Sequence, residues 1–230
     1  MNTPNISKSI CKFYRETDVY IEGLAIPSED DLERIRICIK ITELFNKKSI
    51  LDFGSGMGHM CEAFAQKGYK VYGVDLPSKH RTASEKRLKS KDLKVTFLSP
   101  ELMVERIRDI DVVTCFDVFE HLENPIYWIL QIFEVIAPEG ILFFYADTHN
   151  FDDPSHFPEH YIYEPILPQL FQNIGFNVLP FYPMPRPRLR NGNLIMGDME
   201  IQIYQKPLNV PSTYLERYRA MLHRWERNKR

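Results

Sequence analysis

A cluster of glycines beside two carboxylates is the first feature of this chain with an evident chemical use. Three of its ten glycines, Gly54, Gly56 and Gly58, lie within five residues and follow Asp52. Glycine accepts a positive φ and lets the backbone approach a ligand closely. Asp75 lies 21 residues after Gly54, a separation at which a carboxylate can accept hydrogen bonds from both hydroxyls of a ribose. The pattern predicts a nucleoside-binding turn.

The residues around the glycines narrow the choice of nucleoside. A dinucleotide-binding turn reads G-x-G-x-x-G, and His59 stands where its third glycine would be. Asp52 would repel a pyrophosphate, whereas it would attract a ligand that carries positive charge. S-adenosylmethionine carries both an ammonium and a sulfonium group, so the turn favours this cofactor.

A second group of reactive side chains lies in a polar segment, residues 147–163. On a helix, His156 and His160 would share one face and could bind a divalent metal with a carboxylate. Pro158 between them disfavours that helix, and we expect no metal. A histidine has a pKa of about 6.5 and can take the proton of a hydroxyl, so His156 is the predicted general base. A loop histidine held by ordinary hydrogen bonds is the alternative. The group comprises Asp147, His149, Asp152, Asp153, His156 and His160.

Alternating strands and helices must position these residues. Several predicted strands, such as 111–116, are nearly continuous apolar runs, which is typical of parallel strands covered on both faces. The alternation predicts an α/β fold, a doubly wound and mostly parallel sheet with helices on both faces, whose strand ends carry the ligand. The predicted strands are 49–53, 70–74, 94–98, 111–116, 141–146, 176–183 and 199–205. The predicted helices are 57–67, 79–89, 101–108, 125–137, 164–174 and 212–228.

The sequence also predicts how the single domain is organised. A first helix is expected to begin at residues 28–31, because acidic groups favour the positive end of a helix dipole. Its predicted buried stripe is Leu32, Ile35, Ile39 and Leu44. The expected parts are a helical cap or lid (1–48), a core (49–206) with substrate loops at 147–163 and 183–198, and a basic C-terminal helix (207–230).

Two further motifs, together with the glycine turn, resemble those of a known family. The motif D-x-G-x-G-x-G at 52–58, with Asp75 and the segment 117–125, resembles class I S-adenosylmethionine-dependent methyltransferases. The element E-H-x-x-x-P at 120–125 is similar to the branch that modifies small molecules, and D-P-S-H at 153–156 resembles a segment of enzymes acting on sugars or glycans. The resemblance covers about residues 48–180. It implies a seven-stranded Rossmann-like sheet and methyl transfer by in-line displacement to a small-molecule or sugar acceptor, with a hydroxyl favoured over nitrogen or carbon.

The predicted site follows from the motifs and the resemblance together. The cofactor is expected to contact Asp52, Gly54, Ser55, Gly56, Asp75, Leu76, Phe116 and Asp117. His156 and His121 are the predicted catalytic residues, although His121 has the alternative of only capping the turn before the next helix. The predicted substrate contacts are Tyr14, His149, His160 and Arg186. Arg186 suits a carboxylate or phosphate of the substrate, with a solvated loop as the alternative.

Composition and charge disfavour several other classes. The net charge is −2, and because residues 212–230 carry a charge of +4, the rest of the chain is acidic. Such a body disfavours a surface that tracks nucleic-acid phosphates. No apolar run approaches the length of a membrane span, and the four cysteines form no C-x-x-C pair, so we expect a reduced cytoplasmic protein. A homodimer is left open. The alternatives in function are a cofactor-binding scaffold without catalysis and a metal-dependent enzyme built on the loop 147–160.

Overall fold

The chain forms alternating strands and helices in the computed structural model, which describes residues 25–148, 156–179, 186–190, 193–197 and 201–209, together with 216 and 220. Several helices begin at a side-chain cap, as where Ser28 and Asp31 form a reciprocal capping box. The strands are β1 (Ser49–Phe53), β2 (Lys70–Val74), β3 (Val95–Leu98), β4 (Ile110–Phe116), β5 (Ile136–Tyr145), β6 (Asn177–Val178), β7 (Arg186–Arg190), β8 (Asn193–Gly197) and β9 (Gln202–Gln205). The α-helices are α1 (Glu29–Leu44), α2 (His59–Gln66), α3 (Lys79–Ser90), α4 (Pro100–Arg106), α5 (Pro125–Val135) and α6 (Leu167–Ile174), and 3-10 helices lie at Phe119–His121 and Pro158–Ile166.

Seven of these strands form one sheet in the order β3-β2-β1-β4-β5-β9-β6. Strand β1 pairs in parallel with β2 and β4, and the parallel pairing continues to β3 and β5. Only β9 is reversed, since it lies antiparallel to both β5 and β6. The strand order changes direction between β1 and β4, which is where an open parallel sheet leaves a crevice for a ligand. The predicted fold class is confirmed.

Both faces of the sheet are covered by apolar side chains. Successive residues of β5 alternate between two buried clusters: Leu142 and Phe144 belong to one, and Ile141 and Phe143 to the other. Helices α4, α5 and α6 pack in the first cluster, and α1, α2 and α3 in the second. Burial on both faces explains why these strands read as continuous apolar runs.

Helix α1 buries only part of the predicted stripe: Ile35 is buried and Ile39 packs against the second cluster. Leu32 and Leu44 are exposed, at 38% and 71%. The helix is turned so that Arg34 lies against the sheet edge, where it contacts Asp117 and two aromatic rings. These polar and aromatic contacts fix the rotation of the helix, and the hydrophobic stripe alone does not reveal them. The buried residues of α1 are Arg34, Ile35, Cys38 and Thr42.

The C-terminal third differs most from the expected elements. The segment predicted as a substrate loop, 183–198, contains the antiparallel hairpin β7–β8. The predicted helix 125–137 ends at Val135, because the chain continues directly into β5. The predicted helix 212–228 lies almost wholly outside the described residues. Within the part of the chain that the structure describes, no helix is both long and apolar enough to cross a bilayer.

Candidate active site

A pocket of about 470 Å³ lies at the carboxyl ends of β1, β2 and β4. This volume is within the range of roughly 300–1,000 Å³ that small-molecule sites occupy. Helix α1 and the 3-10 helix Phe119–His121 complete its wall. All eight predicted cofactor residues line this pocket: Asp52, Gly54, Ser55, Gly56, Asp75, Leu76, Phe116 and Asp117.

The glycine turn is built to approach a ligand without offering it a ring of amide donors. The amides of Gly54 and Ser55 both donate to the carbonyl of Val74, at 2.8 and 3.1 Å. Gly56 N donates to Asp75 Oδ2 at 2.6 Å. A pyrophosphate site needs free amides aimed at the anion, so the hydrogen bonding of this turn argues against a phosphate ligand. Gly54 is required for a further reason: its φ is +82°, and a Cβ there would overlap the side chain of Val118.

Asp75 directly follows β2 and lies beside the turn. Its two carboxylate oxygens accept from Gly56 N and from Leu76 N, both at 2.6 Å. Burial raises the pKa of Asp75, whereas the two backbone donors oppose that rise. Each carboxylate oxygen has further acceptor capacity, so the group can accept ligand hydroxyls while it holds the turn in place.

Asp52 lies deeper, at the end of β1. The hydroxyl of Thr114 donates to Asp52 Oδ1 at 2.7 Å, and the Cys61 thiol contacts Asp52 Oδ2 at 3.7 Å. Burial raises the pKa of Asp52 to about 6, against the lowering effect of these two donors. A buried carboxylate with so little compensation favours a cationic ligand group.

Arg34 is a pocket residue that the sequence did not reveal. Its Nη1 lies 2.5 Å from Asp117 Oδ2, and its guanidinium lies 4.4 Å from the centre of the Tyr145 ring and 5.5 Å from that of Phe116. Burial raises the pKa of Asp117, and Arg34 opposes this rise. Asp117 has a φ of +53°, a conformation that aspartate tolerates better than most residues. The ion pair therefore joins α1 to the turn after β4.

Replacing Arg34 by methionine should destabilise the protein by about 1–2 kcal/mol, because it removes an ion pair and two cation–π contacts. Half of the Asp117 side chain is exposed, so solvent compensates part of the loss. Denaturant unfolding of Arg34→Met, Asp117→Asn and the double variant would measure the coupling. We expect Arg34→Lys to recover only part of the loss, since lysine lacks the planar fork. Additive effects of the two single changes would contradict the pairing.

The two predicted catalytic histidines meet at the pocket wall. The ring centres of His121 and His156 lie 4.6 Å apart in an edge-to-face arrangement, and both side chains line the pocket. Glu120 lies beside them and is only 1% exposed. Its Oε1 accepts from Asp147 N at 2.9 Å. Burial raises the pKa of Glu120 to about 7, and the charges of Asp117 and Asp147 add to this effect.

Among the remaining predicted residues, His160 is described and lies away from the pocket lining. His160 is 3% exposed, packs against the rings of Phe119, Phe157 and Tyr163, and is not part of the pocket lining. No α-helix carries both His156 and His160, in line with the effect expected of Pro158, because a 3-10 helix begins at residue 158. The ring of His156 instead contacts that of His121. Arg186 lies in β7. Tyr14, His149, Asp152 and Asp153 lie outside the described residues.

Sequence comparison shows the family to which the chain belongs. A family model described as a methyltransferase domain matches residues 30–194, a span that includes α1, the glycine turn and both pocket histidines. The chain belongs to this methyltransferase family. The family resemblance and the methyltransferase class predicted from the motifs are confirmed.

Two relatives of this methyltransferase each match less than half of the chain. The ubiquinone biosynthesis O-methyltransferase of Saccharophagus degradans is 29% identical over 107 residues, which are 45% of this chain and 45% of that protein. The enzyme of the same name from Psychrobacter arcticus is 31% identical over 99 residues, 41% of this chain and 38% of that protein. In both cases the match spans less than half of the relative's length.

One solved structure illustrates the similarity in fold. The S-adenosylmethionine-bound magnesium protoporphyrin IX methyltransferase from Synechocystis superposes with a TM-score of 0.59 and covers 90% of this chain and 100% of that one. Its sequence identity is 15%, so the likeness concerns the fold alone.

Proposed function

We propose that this methyltransferase transfers the methyl group of S-adenosylmethionine to a hydroxyl of a small molecule. The observation that carries the proposal is the meeting of three features in one pocket: the glycine turn, the strand-end carboxylate Asp75 and the pair His121 and His156. The curated relatives named above are O-methyltransferases of ubiquinone biosynthesis, which supports an oxygen acceptor.

The pocket suits the charge and shape of this cofactor. Asp52, Asp75 and Asp117 line it, and they favour a ligand with an ammonium and a sulfonium over a phosphate ester. The buried hydroxyl of Ser55 has no hydrogen-bond partner among the described residues, so a ligand that reaches the turn can satisfy it. When bound, S-adenosylmethionine supplies an electrophilic methyl group.

The protein's contribution to the reaction is position and proton removal. Holding the acceptor in line with the methyl group can supply about 7–11 kcal/mol of the barrier reduction. Val118, Leu122 and Trp128 also line the pocket, and these apolar side chains favour an aromatic acceptor over a glycan. We assign the removal of the acceptor's proton to His121 and His156, which line this pocket.

The cofactor proposal is tested by calorimetric titration with S-adenosylmethionine and S-adenosylhomocysteine. We expect about one molecule of either ligand to bind per chain. A nicotinamide dinucleotide should bind with much lower affinity and should not displace either ligand. Transfer of a labelled methyl group to a panel of phenols and sugars then tests the acceptor class. Failure to bind either sulfur ligand would refute the proposal, whereas binding without transfer to any acceptor would favour the scaffold alternative.

Replacing His156 or His121 by alanine should lower kcat by roughly 10²–10⁴-fold, because each removes a group that handles the acceptor's proton. Binding of S-adenosylhomocysteine should change little, since its predicted contacts lie on other residues. Lys89→Ala, an exposed change on α3, is the matched control. The histidine assignment fails if both variants turn over at the wild-type rate.

A further inference from the structure

Three potential metal ligands converge at the histidine end of the pocket. One ligand atom each from Glu120, His121 and His156 lies within 4.8 Å of the others. Ligand atoms bound to one ion at about 2.0–2.2 Å lie roughly 3–4 Å apart. Small side-chain rotations would therefore bring all three onto a common centre.

The backbone holds the two segments that carry these ligands together. Phe157 N donates to the carbonyl of Glu120 at 3.0 Å, so the residue after His156 is tied to the 3-10 helix that carries Glu120 and His121. Asp147 N fixes Glu120 Oε1 at 2.9 Å. The ligand set is thus organised by the fold even though 35 residues separate His121 from His156, and such organisation lowers the cost of binding.

The local electrostatics favour a cation at this place. The buried Oε2 of Glu120 has no hydrogen-bond partner within the part of the chain that the structure describes. The neighbouring charges that act on Glu120 are those of Asp117 and Asp147, and both are negative. Leaving a carboxylate oxygen buried without a partner is costly, and a bound cation is one of the few groups that removes the cost.

We propose that Glu120, His121 and His156 bind a divalent transition-metal ion at the acceptor end of the pocket. Two imidazoles and one carboxylate suit Zn²⁺, Co²⁺ or Fe²⁺, whereas Mg²⁺ prefers a set of oxygen ligands. Three protein ligands leave at least one coordination position open to a substrate oxygen. This site differs from the pair of His156 and His160 that the sequence analysis considered and disfavoured, since His160 packs among aromatic rings away from the pocket lining.

The ion gives the site a second way to activate a hydroxyl, and this step rests on the proposed methyl transfer. A hydroxyl that coordinates a divalent ion loses its proton more readily. The proton passes to solvent, the acceptor oxygen forms a bond to the methyl carbon, and the sulfur–carbon bond breaks with its electron pair remaining on sulfur. In this form His121 and His156 act as neutral ligands and position the acceptor through the ion.

Cobalt is the probe for the test, because its visible absorption reports nitrogen and oxygen coordination. The full chain, purified without a histidine tag and stripped with a chelator, is titrated with Co²⁺ and then displaced with Zn²⁺. We expect about one ion per chain, and an affinity at least about tenfold weaker in Glu120→Gln, His121→Gln and His156→Gln. His160→Phe replaces one buried ring by another and should bind Co²⁺ as the wild type does.

Two results would overturn the proposal: no visible absorption band in the wild type at millimolar Co²⁺, or equal Co²⁺ affinity in the wild type and all three glutamine variants. Loss of Co²⁺ in His160→Phe, with binding kept in His121→Gln, would instead identify the pair first considered from the sequence and would also overturn it. Titration of each variant with S-adenosylhomocysteine shows whether the pocket is intact. A wild type that binds this ligand but no metal leaves the proposed methyl transfer standing and removes the ion alone.

Discussion

Replacing Asp75 by alanine is expected to weaken the binding of S-adenosylmethionine and S-adenosylhomocysteine by at least about 100-fold. Two hydrogen bonds from ribose hydroxyls to a carboxylate are together worth roughly 3–6 kcal/mol when the carboxylate is charged and partly buried. Asp75 also accepts from Gly56 N and Leu76 N, so the substitution leaves both amides without this acceptor, and one of them belongs to the turn. Calorimetry at neutral pH measures the loss directly.

A direct contact with the ribose must be separated from a role in shaping the turn. Methylthioadenosine and its 2′-deoxy analogue provide this separation, because they differ by one hydroxyl. In the wild type, removal of the hydroxyl should cost about 1.5–3 kcal/mol of binding free energy, about 10–150-fold in affinity. In Asp75→Ala it should cost little, since the acceptor is gone. The same loss in both proteins would show that Asp75 acts only through the turn.

The features that the sequence predicted correctly are those with local signals. The glycine turn, the strand that precedes Asp75 and the apolar strands are each defined by residues close together in the chain. Strand β1 was predicted at 49–53 and is observed at Ser49–Phe53. Short-range patterns fix such elements because turn chemistry and strand burial depend on neighbouring residues.

The features that the sequence missed depend on how distant segments pack. Arg34 enters the pocket only because α1 is rotated toward Asp117, a partner 83 residues away. The only sequence signal for a buried Arg34 was its position next to Ile35 and one helical turn before Cys38, and this signal is weak. Glu120 was visible within the E-H element, but its burial and its place beside His156 require the fold. The sequence did not predict the contact between His121 and His156 for the same reason, since the two residues lie in segments that are distant in the chain.

Replacing Asp52 by asparagine should have two effects of opposite sign: greater stability of the ligand-free protein and weaker binding of S-adenosylmethionine. Burial raises the pKa of Asp52 from 3.8 to about 6. Between these pH values the folded protein retains a proton that the unfolded chain has lost, so the stability that Asp52 contributes falls as the pH rises through this window. Above pH 6 the buried charge exerts its full cost, on the order of 1–3 kcal/mol.

Asparagine removes that charge while it keeps the local hydrogen bonds. Its amide oxygen can accept from the Thr114 hydroxyl, and its amide nitrogen can face the Cys61 sulfur. Thermal or denaturant unfolding of the two ligand-free proteins from pH 4 to pH 8 should therefore show the variant more stable at pH 7, with the difference vanishing toward pH 4. Other buried carboxylates, such as Glu120, are common to both proteins, so the difference isolates Asp52.

The second expected effect of the Asp52→Asn change concerns ligand binding. The wild-type carboxylate, costly when the pocket lacks ligand, is stabilised by a cationic group beside it, so the stabilisation that S-adenosylmethionine gives the wild type should exceed that given to Asp52→Asn. The wild type should also lose affinity as the pH falls below about 6, whereas the variant should not. If the ligand-free variant proves less stable than the wild type at pH 7, the bonds from Thr114 and Cys61 must outweigh the desolvation of Asp52, and the carboxylate would be structural.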